Sequence, residues 1–226
     1  MSLKSLFSAK DMTLGSPAAR IMEFAIPMLI GNFAQQLYNT ADSIIVGKFV
    51  GDNALAAVGS AMPILNLLLA LFVGIATGAG IVISQSYGAR DREGLSKSIG
   101  NCISLAFIAS LVIMVVGPLL TRPMLELLGT PDSILDGCAS YLMICLVGMA
   151  GLAYYNILSG MLRGLGDSFS ALIYLLVATA INIVLDIWFV AGLKMGIAGA
   201  AWATITGQAA SFLFSIYYLY KNKKDL

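Results

Sequence analysis

Residues 181–190, INIVLDIWFV, set one amide and one carboxylate into a run that is otherwise apolar and long enough, with its flanks, to cross a lipid bilayer. A carboxylate at the centre of a spanning helix costs roughly 2.5 to 3.5 kcal/mol on insertion scales, so Asp186 calls for a partner or a task. The surroundings of this stretch decide the class. The chain has 226 residues, 59% hydrophobic and 11% charged, with a mean hydropathy of +0.89. Those values lie outside the range of soluble domains and predict an all-α integral membrane protein.

A spanning helix needs about 20 mostly apolar residues. Six stretches meet that length, at 18–47, 54–86, 94–121, 137–162, 168–192 and 196–220, separated by the turns GKFVGDNA, YGARDREG, TRPMLELLGTPD, RGLGDS and GLKMG. Pro27, Pro63 and Pro118 fall inside the first three and predict bends there. The division that follows is an N-terminal segment 1–17, a six-helix body 18–220 and a basic tail 221–226. The first twenty residues carry Lys4, Lys10, Asp11 and Arg20 and predict no signal peptide. Alternate faces of this topology receive ten and three basic residues, the ten including Arg90, Arg92, Arg163 and Lys221. That asymmetry predicts cytoplasmic termini in the plasma membrane. An even number of spans also means that a second six-span unit fused at the C-terminus would share this orientation.

Composition excludes several chemistries. Net charge is +1 and the basic residues form no dense run outside the tail, so nucleic acid is not a predicted partner. There is no histidine, and Cys102, Cys138 and Cys145 are too sparse for a metal cluster. They read as small apolar residues, Cys138 and Cys145 sharing one helix face. With no nucleophile beside a base, no enzyme and no organic cofactor are predicted. The glycines of LFVGIATGAG, Gly74, Gly78 and Gly80, lack the lysine and preceding strand of a phosphate loop and read as close helix contacts, as do the small residues of GIAGAAWATITG at 196–207.

Of twelve acidic residues, only Asp42 and Asp186 lie well inside spans. Asn182, one turn from Asp186, shares its helix face. Thr204 enters the sixth span at a similar depth, all four lying about 10 to 17 Å from the outer boundary at helical rise. Gln35, Tyr38, Asn39 and Asp42 form a second polar stripe on the first span. Neither stripe can face lipid cheaply, so together they predict a wet cavity among the first, fifth and sixth spans. Two carboxylates sharing such a site can carry a proton, and carboxylate, amide and hydroxyl oxygens can instead hold a hard cation such as Na+. The bland alternative, helices joined by side-chain hydrogen bonds, suits Thr204 better than it suits two carboxylates.

Five stretches in order, IPMLIGNFAQQLYNTADSIIVGKFVGDNALAAVGSAMP (26–63), ISQSYGARD (83–91), SGMLRGLGD (159–167), INIVLDIWF (181–189) and GIAGAAWATITGQ (196–208), resemble the N-terminal lobe of the multidrug and toxic compound extrusion (MATE) transporters along nearly the whole chain. The resemblance implies secondary active efflux of small organic, often cationic, compounds in exchange for Na+ or H+. It also implies a coupling-cation site at Asp42, Asn182, Asp186 and Thr204, where a bound Na+ would lie, and a substrate cleft including Gln35, Tyr38, Asn39 and Asn156. Family members have two six-span lobes, so the partners expected are lipid, substrate and a second lobe, either a missing C-terminal half or another copy. A lipid-oligosaccharide flippase of the same superfamily would show basic residues inside the cavity, and none lies deep within the six spans. A membrane scaffold that does not transport is the rival from another class. Arg163 and Asp167 read as part of a tight turn rather than a gating ion pair, and YGARD as a structural helix end.

Overall fold

The computed structural model describes residues 16–221; the expectations for the N-terminal segment and the tail fall mostly outside the described residues. Seven helices follow in order: α1 (Pro17–Phe49), α2 (Asp52–Gly88), α3 (Arg92–Leu127), α4 (Asp132–Val147), α5 (Met149–Gly164), α6 (Ser168–Asp186) and α7 (Gly196–Lys221). A π-helical turn, Ile187–Gly192, continues α6. By length and apolarity α2, α3, α6 with its π turn, and α7 each suffice to cross a membrane, and α4 with α5 forms one span bent by 52°. α1 has 33 residues, ample for a crossing. Asn32, Gln35, Gln36, Asn39, Thr40, Asp42 and Ser43 lower its apolar content. The protein is an all-helical multi-pass membrane protein. Counting α1 as a sixth crossing places Pro17 and Lys221 on one side of the bundle, here termed the terminal face.

Pro27, Pro63, Pro118 and Pro123 all lie inside continuous helices, and the span that breaks contains no proline. Its break falls at Gly148, where an added Cβ would overlap Ile205 of α7; the absent side chain lets α7 wedge against the bend. α3 also extends to Leu127, past the predicted end at 121, because Pro118 and Pro123 are accommodated within the helix.

The α2–α5 contact is built on small residues. An added Cβ at Gly160 would strike the Ala76 carbonyl, one at Gly164 would lie 2.6 Å from the Gly80 carbonyl oxygen, and one at Gly80 would lie 2.9 Å from that of Gly160. Ala76/Gly80 thus oppose Gly160/Gly164 at a spacing of four, the pattern that lets two backbones touch. The packing expectation holds for Gly80 but not for Gly74 or Gly78, whose added Cβ atoms would meet nothing within 4 Å. Around this seam lie two apolar clusters, one centred on Val58, Phe72, Leu125 and Leu142 and one on Ile83, Ala106, Ile157 and Leu158. Each buried side chain of this size is worth about 1.5 to 3 kcal/mol where it leaves water.

The turns have local causes. Asp167 caps α6, its carboxylate accepting from Ser170 N (2.9 Å) and Ser170 Oγ (2.6 Å), while Gly166 takes φ +85° to deliver it. Asp91 caps α3 through Gly94 N (2.9 Å). The left-handed residue of YGARD is Arg90, at φ +57°.

Candidate functional site

The buried positions of α1 include Gly31, Ala34, Tyr38, Asp42 and Ile45, a helical stripe that carries one phenol and one carboxylate into the bundle. α6 packs against both α1 and α7 and supplies Asn182 and Asp186, the carboxylate wholly enclosed at 0% exposure. On α7, Thr204 accepts a hydrogen bond from the Tyr38 hydroxyl at 3.3 Å. Gly207 keeps α7 close to α6 at this level, since an added Cβ there would lie 3.0 Å from Asn182 Cβ. The Asp42 and Asp186 charges interact, and Tyr38 senses both. The structure therefore gathers Asp42, Asn182, Asp186, Thr204 and Tyr38 into one cluster where three helices converge.

Most polar atoms of this cluster lack partners. Asp42 Oδ1, both carboxylate oxygens of Asp186 and both side-chain polar atoms of Asn182 are enclosed without a hydrogen bond. An uncompensated buried carboxylate is among the costlier features a fold can carry. The donors on offer are oxygens from carboxylate, amide and hydroxyl groups, which suit a hard cation such as Na+ or a proton and suit a soft metal poorly. The π turn starts directly after Asp186, and such widened turns recur at functional positions.

Tyr141 and Cys145, on the α4 half of the bent span, stand within electrostatic range of Asp42. Sequence reasoning left Tyr141 unremarked and treated Cys145 as filler. A hydroxyl and a thiol four apart inside a span was the available signal, too common to single out.

A cavity of about 1240 Å³ lies beside the cluster, walled by α1, α2 and α5 and opening at the terminal face. Of the four residues expected in the cleft, Gln35 and Asn156 line this cavity, whereas Tyr38 and Asn39 do not. Tyr38 is turned into the carboxylate cluster instead, and Asn39 hydrogen-bonds Gln36 at 3.4 Å. Asn156 Nδ2 donates to the Leu152 carbonyl at 2.8 Å. The cavity is not free of basic residues: Arg163, in the last turn of α5, lines it together with Arg90 and Arg92 at the mouth. The expected helix boundary at 162 excluded Arg163 from the span, whereas α5 runs to Gly164 and carries it into the wall. No ion pair joins Arg163 to Asp167 among the described residues, the carboxylate being engaged with Ser170.

The MatE family model matches residues 27–188. The chain is 35% identical over 207 residues to the probable multidrug resistance protein YoeA of Bacillus subtilis, an alignment covering 90% of this chain and 45% of that protein. It is 27% identical to the multidrug export protein MepA of Staphylococcus saprophyticus, covering 89% of this chain and 45% of the relative. A crystal structure of MATE in the bent conformation superposes with a TM-score of 0.87 at 32% identity, covering 92% of this chain and 46% of that one. The chain spans about half the length of the relatives it matches.

Proposed function

The chain belongs to the MatE family, a family of transporters rather than enzymes, and from that premise we propose that it forms the ion-coupled lobe of a secondary active exporter of small organic compounds. In this reading inward movement of Na+ or H+ through the Asp42, Asn182, Asp186 and Thr204 cluster drives outward movement of a compound held in the neighbouring cavity, with Gln35 and Asn156 in its wall. The observation that carries it is the set of enclosed, unpartnered oxygens of Asp42 on α1 and of Asn182 and Asp186 on α6, with Thr204 of α7 joined to them through Tyr38. A site that alternately takes up and releases a small cation leaves its oxygens unclaimed between turnovers, and the change in charge there alters how α1, α6 and α7 attract one another. Alternating access requires a second six-helix unit for this lobe to rock against. The basic-residue asymmetry supports a cytoplasmic terminal face, which makes the cavity an inward-opening one.

The test is export of a cationic dye from vesicles holding the complete two-lobe assembly, under an imposed Na+ or H+ gradient. Asp42→Asn and Asp186→Asn should each reduce gradient-driven export to background at equal protein levels. Undiminished export by both variants removes the coupling site. Absence of gradient-driven export in the wild type favours the scaffold reading.

Arg163 in the cavity wall favours one second reading, a flippase for an anionic lipid-linked headgroup. That reading requires head-group translocation without an ion gradient, measured by the access of an impermeant quencher to a labelled lipid.

A further inference from the structure

α7 meets the carboxylate cluster with one face and the bend of the α4–α5 span with another. Thr204 accepts a hydrogen bond from the Tyr38 hydroxyl of α1 at 3.3 Å. The next residue, Ile205, points about 100° away around the helix and meets Gly148, where an added Cβ would overlap its Cγ1 and lie 2.5 Å from both Cγ2 and Cδ1. Gly148 has φ −85°, on the side of φ that L-residues adopt. Its missing side chain is therefore a requirement of Ile205 and not of the backbone. The close approach continues one turn on, where a Cβ at Gly151 would lie 3.3 Å from the Ala209 nitrogen. Neither Ile205 nor Gly148 lines the cavity.

The bend is a place where the helix changes its winding. The Gly151 N–H donates to the Gly148 carbonyl, three residues back, at 3.2 Å, the tighter spacing that recurs at hinges inside helices. No proline enforces the angle of 52°. Toward the terminal face, Gly160 and Gly164 fix α5 against the α2 backbone. A change of angle at Gly148 is therefore taken up by α4 and by residues 149–156. Tyr141 and Cys145 of α4 stand near Asp42, and Asn156 lies in the cavity wall. A packed contact without slack passes on shifts of a fraction of an ångström.

We infer that Ile205 is the positioning residue that ties the cavity to the carboxylate cluster. A change of charge at Asp42 or Asp186 shifts α7 through Thr204, and Ile205 resets the angle at Gly148 and with it the α5 wall at Asn156. The inference rests on reading the cluster as a site whose charge changes; the contact between Ile205 and Gly148 does not. It gives ion and cargo a mechanical link inside this one lobe.

The experiment reads the rate at which Asn156→Cys reacts with a small maleimide, in the purified full chain with alanine at Cys102, Cys138 and Cys145, at one fixed pH. Saturating Na+ and Asp186→Asn are the two perturbations of the cluster. At least one of them should shift the rate by about fivefold or more, the lower end of coupling between sites. Ile205→Ala should reduce that shift to less than about twofold, with equilibrium binding of radioactive Na+ held within about threefold of the parent. Ile205→Val keeps both Cγ atoms and should preserve the shift. Gly148→Ala combined with Ile205→Ala returns a methyl to the contact from the other helix and should recover it. A shift that persists in Ile205→Ala, or no shift under either perturbation in the parent, overturns the inference. So does a loss of shift in Ile205→Val and in the paired variant when both melt at the parent temperature. Gradient-driven export that survives Asp42→Asn and Asp186→Asn, while the shift caused by Asp186→Asn still needs Ile205, removes the ion-coupling reading and leaves the contact standing.

Discussion

At the scale of single residues, this protein distributes its acidic side chains between two tasks with opposite requirements. Asp167 is 5% exposed and tolerates burial because Ser170 supplies two donors, one from the backbone and one from the side chain. Asp186 is more deeply enclosed and has none. Removing the first should therefore cost stability, and neutralising the second should not. Asp167→Ala is expected to destabilise the protein by about 1 to 2 kcal/mol, the range for a lost N-cap, read as a lower midpoint in thermal unfolding in detergent. Asp186→Asn removes a costly charge from a site without a partner and should raise that midpoint or leave it unchanged in the absence of added Na+. A midpoint that falls more in Asp186→Asn than in Asp167→Ala would show that Asp186 is a structural group. Tyr38→Phe loses a single long bond to Thr204 and should cost no more than about 1 kcal/mol.

At the scale of helices, the informative comparison is between glycines that look alike in sequence. Gly160 and Gly164 abut the backbone of α2, and Gly74 and Gly78 face open space. Gly160→Ala and Gly164→Ala must push α5 away from α2 and should each cost about 1 to 3 kcal/mol, seen as reduced folded yield and a lower unfolding midpoint. Gly74→Ala and Gly78→Ala should leave both unchanged in this chain. Equal losses in the two pairs would mean that the α2–α5 seam is not the close contact described. The bend at Gly148 belongs to the same scale. It divides one span into α4, which brings Tyr141 and Cys145 toward Asp42, and α5, which brings Asn156, Ser159 and Arg163 to the cavity. One span thereby contributes to both the carboxylate cluster and the cavity wall.

At the scale of the whole molecule, the cavity opens at one end of the bundle and the Asp42–Asp186 cluster is enclosed within it. The topology makes a direct prediction about which side of the membrane that end faces. In a variant with Cys102, Cys138 and Cys145 replaced by alanine, a cysteine at Gly129, on the α3–α4 turn, should react with an impermeant maleimide added outside intact cells. A cysteine at Ser96, near the start of α3, should react only after permeabilisation. The opposite pattern would invert the orientation and with it the inward-opening cavity.

The sequence by itself determined the all-helical membrane class and the four polar residues that share a depth, because the cost of placing charge and amide in lipid makes every such residue conspicuous. Helical periodicity then put Asn182 with Asp186 and Tyr38 with Asp42 on common faces. Convergence of those faces was a matter for the tertiary structure, since nothing local fixes how one helix is rotated against the next. The same limit explains what sequence reasoning missed. Asn39 and Tyr38 are adjacent in the chain, yet only Tyr38 is turned into the cluster, and Arg163 becomes a wall residue because α5 runs two residues further and packs against α2. The bend at Gly148 was also a matter of tertiary contact, through the Ile205 side chain of α7, which presses on a residue without one.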